Sequence, residues 1–214
     1  MTSSKQSDWN EYYRNGEFDV PPFIINALWR NYEQAIRRHI GPHQSGLIVM
    51  ELGGADSCFY PQFRKAFDVA EYHIVDNNDF GLNLFQNKQD KGVFLHNVDL
   101  LNGNPQKLVT RADIVFSAGL IEHFIPNDTE TIVQAHFELA KPGGLVMMSF
   151  PTPTAIYWTF RWFLEKTGKF PPLFERPIKS DEVMRVLKNF GSPLETYKIW
   201  NTLLTQLFTL TRKT

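Results

Sequence analysis

Short apolar runs alternate with longer helical stretches along most of this chain. Apolar residues recur at helical spacing near the N-terminus, where a helix is predicted from about Pro22 to Ile40. Strands that are separated by helices form parallel βαβ units, and the sheet they build is covered on both faces. The pattern therefore predicts an α/β, doubly wound, mainly parallel sheet. Its predicted strands are Leu47–Leu52, Tyr72–Asp76, Val93–Asn97, Asp113–Ala118 and Leu145–Phe150.

The last third of the chain has marked helix ends and a different strand pattern. Asn127 with Glu130 three residues on resembles a capping box at the start of the helix before the fifth strand. A further helix is predicted from Ser180 to Phe190. Two extended runs, Leu194–Trp200 and Leu203–Thr211, follow with a short polar connection, a spacing that favours an antiparallel hairpin. We therefore predict seven strands, the last two forming a C-terminal hairpin.

Composition excludes several classes of protein. The 214 residues suit one domain with a full core, and a net charge of −1 gives no field that attracts nucleic acid. The single cysteine, Cys58, excludes an intramolecular disulfide and a multi-cysteine zinc site, and we expect it to be a partly buried small hydrophobe. No metal site is predicted. No signal peptide or membrane-spanning run is recognised, so we expect a cytoplasmic protein.

The most informative segment is the turn that follows the first strand, Glu51-Leu52-Gly53-Gly54-Ala55-Asp56-Ser57. A glycine turn between a buried strand and a helix presents backbone N–H groups to nucleotide-like ligands. Asp76 ends the second strand roughly 20 residues on, which is the spacing of an acid that accepts hydrogen bonds from ribose hydroxyls. After the third strand, Asp99 is placed to accept from an exocyclic amine and Leu100 to pack against a base.

Together these segments resemble class I S-adenosylmethionine-dependent methyltransferases that act on small molecules, sugars and lipids. ELGGADS resembles the first motif of that family, and VDL at 98–100 resembles its adenine-edge motif. ADIVFSAGLIEHF resembles the fourth-strand segment, and LAKPGGLVMMSFP resembles the turn into the fifth strand. The resemblance covers about Leu47 to Phe150 and implies a Rossmann-like fold with S-adenosyl-L-methionine as cofactor. It places the cofactor against Glu51, Gly53, Gly54, Ser57, Asp76, Asn77, Asp99, Leu100, Ala118 and Gly119.

The resemblance also implies the reaction and the domain plan. We expect O-methylation of a small, sugar or lipid-type acceptor by a single domain over 1–214, with no nucleic-acid partner. Its predicted parts are an N-terminal helical cap (1–45), a cofactor-binding core (46–150), an aromatic lid (151–179) and a C-terminal helix with hairpin (180–214).

The first motif departs from the family pattern, which reads acid-x-Gly-x-Gly-x-Gly. Ala55 and Ser57 occupy the second and third glycine positions. Alanine fits there when its φ is negative, and serine can cap a helix or bond a carboxylate. A non-catalytic scaffold or regulatory protein of the same fold is therefore an alternative. A nicotinamide-dependent dehydrogenase is a second one, although the chain lacks Gly-x-Gly-x-x-Gly.

His123 is the predicted catalytic residue, because it lies just beyond the fourth strand, beside the expected methyl position. A neutral imidazole accepts the proton that a hydroxyl or amine acceptor must lose. The alternative is that His123 bonds the backbone and shapes the loop, or lines the cofactor pocket. Tyr157 and Trp158 from the aromatic segment, with Tyr13, are the predicted acceptor contacts. A dimer interface and peripheral membrane contact are alternative roles for that segment.

Overall fold

The computed structural model describes residues 9–15, 20–41, 45–86, 88–103, 105, 108, 111–170, 173–202 and 204–214. Within those ranges the strands are β1 (Leu47–Leu52), β2 (Val69–Asp76), β3 (Val93–Asn97), β4 (Ala112–Ala118), β5 (Ala140–Pro151), β6 (Gly191–Ile199) and β7 (Gln206–Lys213). They form one seven-stranded sheet in the order β3-β2-β1-β4-β5-β7-β6. The first five strands are parallel, whereas β7 pairs antiparallel with both β5 and β6. The predicted fold class, including the terminal hairpin, is confirmed.

Helices cover both faces of this sheet. They are α1 (Trp9–Asn15), α2 (Pro22–His39), α3 (Tyr60–Ala66), α4 (Asp79–Leu84), α5 (Pro126–Leu139), α6 (Ala155–Lys166) and α7 (Ser180–Leu187), with a turn of 3₁₀ helix at Ile121–His123. One apolar cluster joins α2, α3 and α4 to one face, and a second joins α5 and α7 to the other. None of the helices in the described ranges is long and apolar enough to cross a membrane.

The central strands explain why the apolar runs are so continuous. Val49 and Met50 on β1, and Ile114 and Val115 on β4, are fully buried although neighbouring side chains point to opposite faces. β2 and β5 begin earlier than predicted, and β2 pairs with β1 from Val69 onward. Their first residues include polar ones that reach solvent at the rim of the sheet, so the apolar pattern does not mark these ends.

Two local predictions are wrong. α5 begins at Pro126, whose fixed φ suits the first helical position, so Asn127 lies inside the helix and no capping box forms. The Thr129 hydroxyl instead donates to the Ile125 carbonyl over 3.0 Å. Cys58 is exposed rather than partly buried, and it precedes α3, which begins only at Tyr60.

The strand order creates a crevice at one edge of the sheet. From β1 the chain crosses outward to β2 and β3, and from β4 it crosses the other way to β5. The loops that leave the adjacent strands β1 and β4 therefore diverge, and ligands of such sheets bind between them.

Candidate functional site

A cavity of about 350 Å³ opens at this crevice. Gly53 after β1, Asp76 at the end of β2 and Gly119 after β4 form its wall, with His123 beside them. Eight predicted site residues line it: Tyr13, Gly53, Asp76, Asn77, Asp99, Leu100, Gly119 and His123. Six others do not: Glu51, Gly54, Ser57, Ala118, Tyr157 and Trp158. The structure thus brings together residues that are more than 100 positions apart in sequence.

The two glycines of the turn, Gly53 at the first glycine position of the motif and Gly54 after it, both lie against other side chains. Gly53 has a φ of +70°, and a Cβ there would lie 2.6 Å from Cδ1 of Leu120. A Cβ on Gly54 would lie 2.7 Å from Cδ of Glu51. Both positions therefore exclude a side chain, and the second lets the Glu51 carboxyl fold beneath the turn.

Ala55 differs from its predicted conformation. Its φ is +27°, not negative, although the residue is fully buried. An L-residue in this region costs about 1 kcal/mol or more. The Ala55 N–H donates to Oδ2 of Asp76 over 3.2 Å, a contact that ties the turn to the end of β2 and holds the strained residue in place.

Ser57 replaces the third glycine and connects three parts of the structure. Its hydroxyl donates to Glu51 Oε2, to which the Tyr72 hydroxyl also donates over 2.8 Å. The same Ser57 oxygen accepts from the backbone N–H groups of Phe59 and Tyr60 at the start of α3. Burial raises the pKa of Glu51 to about 7, and the Asp76 charge raises it slightly further. The hydrogen bonds from the Ser57 and Tyr72 hydroxyls lower it in part.

Asp76 and Asp99 both organise backbone at the cavity. Asp76 Oδ1 accepts from the Asn78 N–H over 2.9 Å, and burial raises the Asp76 pKa although backbone donors oppose it. Asp99 Oδ1 accepts from the Leu101 N–H over 2.8 Å, and its Oδ2 accepts from the Asn102 amide over 2.9 Å. Burial alone raises the pKa of Asp99, but these donors outweigh it and the net pKa is lowered. Each carboxylate also borders the cavity.

His123 is held by one of its two ring nitrogens. Its Nδ1 lies 2.6 Å from the Phe174 carbonyl oxygen. Because a carbonyl only accepts, Nδ1 carries the proton, and the lone pair of the neutral ring is on Nε2. Burial lowers the pKa of His123, with the carbonyls of Phe174 and Gly119 opposing the shift. The ring is therefore neutral at pH 7, and it packs edge to face against Trp9 at 4.8 Å.

The segment that holds His123 is itself fastened on both sides. The Glu175 carboxylate accepts from the Tyr157 hydroxyl over 2.9 Å, and Arg161 donates to the Glu175 carbonyl over 3.0 Å. On the other side, the Arg176 N–H donates to the Glu122 carbonyl, and its guanidinium bonds both carboxylate oxygens of Glu182. The Phe174 carbonyl is thereby fixed in front of the imidazole.

α1 closes one side of the cavity with Trp9 and Tyr13. Asn10 accepts from the Asn78 amide over 3.0 Å, and the Arg14 guanidinium lies 5.4 Å from the Phe80 ring centre. Burial raises the pKa of Tyr13, and the nearby Asp76 carboxylate adds to the shift. The Tyr13 hydroxyl therefore stays protonated.

The other two predicted acceptor contacts lie elsewhere. Tyr157 is fully buried and bonds Glu175 and Arg161, while Trp158 on the same helix is 52% exposed. Leu120 and Phe174, which sequence reasoning did not single out, line the cavity instead. Leu120 stands between two predicted residues in the fourth-strand segment. No sequence signal connects Phe174 to His123, because 51 residues separate them.

Gly53→Ala is expected to lower stability and to narrow the cavity. The substitution puts a methyl group at positive φ, at a cost of ~1–2 kcal/mol, and forces Leu120 to move. Gly143→Ala is the matched control, since Gly143 has a φ of +75° with nothing within 4 Å of its Cβ position. Urea unfolding should show the cost of a methyl group at positive φ in both variants, with a further loss of stability in Gly53→Ala from the displaced Leu120. The affinity for the predicted cofactor should fall roughly tenfold in Gly53→Ala alone. Equal affinities in the two variants would contradict the contact between position 53 and Leu120.

The chain was compared with protein families, curated protein sequences and solved structures. No family model and no curated protein sequence matches the chain. Solved structures do match. Magnesium protoporphyrin IX methyltransferase from Synechocystis, with bound S-adenosylhomocysteine, aligns at a TM-score of 0.66 and 15% identity, over 89% of this chain and 85% of that one.

Two further methyltransferase structures align with most of this chain. The N-methyltransferase NodS from Bradyrhizobium japonicum, with S-adenosylhomocysteine, aligns at a TM-score of 0.65 and 13% identity over 91% and 92% of the two chains. The 1,6-didemethyltoxoflavin-N1-methyltransferase from Burkholderia thailandensis aligns at 0.63 and 14% identity over 100% and 93%. At such identities the likeness establishes the fold. The chain has the class I S-adenosylmethionine-dependent methyltransferase fold, as the sequence resemblance predicted.

Proposed function

We propose that this protein is an S-adenosylmethionine-dependent methyltransferase that methylates an oxygen of a small, sugar or lipid-type acceptor. The observation that supports this most strongly is the shared cavity. Gly53, Asp76, Asp99, Gly119 and His123 come from four different strand ends and line one space. Gly53, Asp76 and Asp99 were predicted from three different segments, and Gly119 and His123 from a fourth, so their convergence on one cavity supports the proposal.

The residues present fit the cofactor. Gly53 lines the cavity beside Leu120, which a Cβ at this position would displace. Asp76 offers a carboxylate at the end of β2, where ribose hydroxyls bind in this fold. Leu100, Leu101 and Ile132 give an apolar wall suited to a base. When bound, S-adenosylmethionine supplies an electrophilic sulfonium methyl group.

The protein's part in the reaction is to position the acceptor and remove its proton. His123 is the proposed proton acceptor, through Nε2, because Nδ1 is committed to the Phe174 carbonyl. A hydroxyl acceptor requires such a base more than an amine does, which favours oxygen as the methylated atom. Tyr13 is the proposed hydrogen-bond donor to the acceptor.

The test is ligand binding by purified protein that is free of co-purified cofactor. S-adenosylhomocysteine at 100 times its dissociation constant should stabilise the fold by about 2.7 kcal/mol in a thermal-shift or calorimetric assay. NAD should have no effect. Stabilisation by NAD alone would favour the dehydrogenase alternative. Binding of S-adenosylhomocysteine without methyl transfer to any fraction of a cell extract would favour the non-catalytic alternative.

Asp76→Ala is expected to weaken S-adenosylhomocysteine binding by about 10- to 100-fold, since a hydrogen bond to a charged group contributes ~1.5–3 kcal/mol. The change also leaves the Ala55 and Asn78 N–H groups without their acceptor. Asp76→Asn is the milder change, because its single amide oxygen can still accept from one of these N–H groups, so its loss of affinity should be smaller than that of Asp76→Ala. Glu130→Ala removes an exposed carboxylate away from the cavity and is the control. Isothermal titration of all three variants with S-adenosylhomocysteine measures these affinities. Unchanged affinity in Asp76→Ala would exclude the proposed contact between Asp76 and the ribose.

A further inference from the structure

α6 has an unusual distribution of side chains. The side that faces the protein carries the fully buried Tyr157 and the Arg161 guanidinium, both bonded to the 173–176 segment. The side that faces solvent carries Ile156, Trp158, Trp162 and Phe163, which are 43%, 52%, 60% and 53% exposed. At ~100° per residue these four lie within an arc of about 160°. We call them the aromatic face.

The aromatic face is bordered by positive charge. Lys166 is exposed at the end of α6 and falls within the same arc, and Lys169 is exposed just beyond it. Glu165 is paired with Arg161 over 2.8 Å. Neither lysine has an ion-pair partner among the residues that the structure describes. The local surface therefore combines apolar rings with uncompensated cations.

The area is too small for a second copy of the chain. Side chains of this kind offer roughly 150–250 Å² each, so at half exposure the four present about 400–500 Å² per copy. Two copies packed through this face would bury less than the ~1,200 Å² of a stable interface. The aromatic face is better suited to a partner with a continuous surface, because contact with such a surface needs no complementary shape.

We propose that the aromatic face of α6 docks this protein on an anionic lipid bilayer. Trp side chains favour the bilayer interface because the ring is apolar and the indole N–H is polar. Lys166 and Lys169 meet the phosphates of the headgroups, and the apolar rings enter the acyl boundary. This surface lies outside the cofactor cavity, and its assignment does not depend on the proposed methyltransferase activity.

The test uses the full chain and unilamellar vesicles of phosphatidylcholine, with or without about one-third phosphatidylglycerol. The protein should co-sediment with the anionic vesicles, its Trp emission should shift to the blue, and high salt should weaken binding. Trp162→Gln/Phe163→Gln should lower the partition coefficient at least ~10-fold by removing the most exposed apolar area. Lys166→Glu/Lys169→Glu should lower it ~10-fold or more on anionic vesicles only.

Phe23→Gln/Trp200→Gln is the matched control, since these side chains are 53% and 55% exposed on other parts of the surface. Its partition coefficient should equal that of the unsubstituted protein. Absence of vesicle binding, or equal loss in the control, would overturn the proposal. A dimer in sedimentation velocity that dissociates in Trp162→Gln/Phe163→Gln would assign the face to a second copy instead. An unchanged midpoint of urea unfolding in each variant verifies that the fold is intact.

Discussion

Replacing His123 with asparagine is expected to lower the rate of methyl transfer to a hydroxyl acceptor by 10²- to 10⁴-fold, the usual contribution of a positioned general base. Asparagine is the informative choice because its amide N–H can still donate to the Phe174 carbonyl, which His123 Nδ1 contacts at 2.6 Å. The variant thus keeps the hydrogen bond to Phe174 but loses the lone pair of Nε2 and the ring contact with Trp9. Single-turnover measurements with saturating cofactor isolate the step, and the affinity for S-adenosylhomocysteine should stay within about twofold of its original value, less than ~0.5 kcal/mol.

The pH profile provides an independent check. Burial holds the pKa of His123 below its ordinary value of 6.5, so the acid limb of kcat/KM should fall below that pH and vanish in His123→Asn. An unchanged single-turnover rate together with lost cofactor affinity would assign His123 to the pocket wall. A steady-state effect that disappears in single turnover would point to product release.

The stability of the protein should depend on pH through Glu51. Its folded pKa is about 7 because the carboxyl is buried, against 4.5 in an exposed chain. The folded state thus holds a proton that the unfolded state has lost between these values, and the free energy of unfolding falls as pH rises from 4.5 to 7. At 1.36 kcal/mol per pKa unit the loss is about 3 kcal/mol. Glu51→Gln removes this dependence, so its stability relative to the original protein should rise by about 2–3 kcal/mol between pH 5 and pH 8.

His136 acts in the opposite direction and makes the comparison between variants necessary. It is fully buried, its Nε2 lies 2.9 Å from the Ser117 hydroxyl, and burial lowers its pKa to about 4. The unfolded state therefore binds the extra proton, and stability rises with pH between 4 and 6.5. The two groups partly cancel in the original protein. Urea unfolding at several pH values should therefore give a shallow profile for the original protein and a steeper acid limb for Glu51→Gln. Parallel profiles would show that the pKa of Glu51 is the same in the folded and unfolded states. Glu130→Gln is the exposed control.

The sequence was sufficient for the parts of the molecule in which burial alone determines the pattern. Leu47–Leu52, which is almost entirely buried, was predicted with the bounds that the structure has. The edge strand Val93–Asn97 was also predicted with its observed bounds, although none of its side chains is fully buried. The strand ends that line the cavity followed from the same reasoning, because parallel strands bring their carboxyl ends to one edge. Asp76 and Gly119 are at that edge for this reason.

The remaining features depend on contacts between distant residues. The positive φ of Ala55 is stabilised by the carboxylate of Asp76, and the tautomer of His123 depends on a carbonyl 51 positions away. A proline one residue before Asn127 was enough to remove the predicted capping box. Aromatic residues in α6 suggested a lid, but hydropathy cannot say which side of a helix meets the protein. The side of α6 that faces the protein is held by the hydrogen bonds of Tyr157 and Arg161.

Ser57, at the third glycine position of the turn after β1, makes this turn more ordered than a glycine would. Glycine visits many backbone conformations in an unfolded chain and loses more entropy on ordering than serine does. Here one hydroxyl joins the acid beneath the turn to the first N–H groups of α3, so the loop is ordered before any ligand arrives. Ordering a flexible loop would subtract from binding energy, and this chain has already completed that step during folding. The substitution that departs from the glycine pattern therefore gives the proposed cofactor-binding loop an ordered structure of its own.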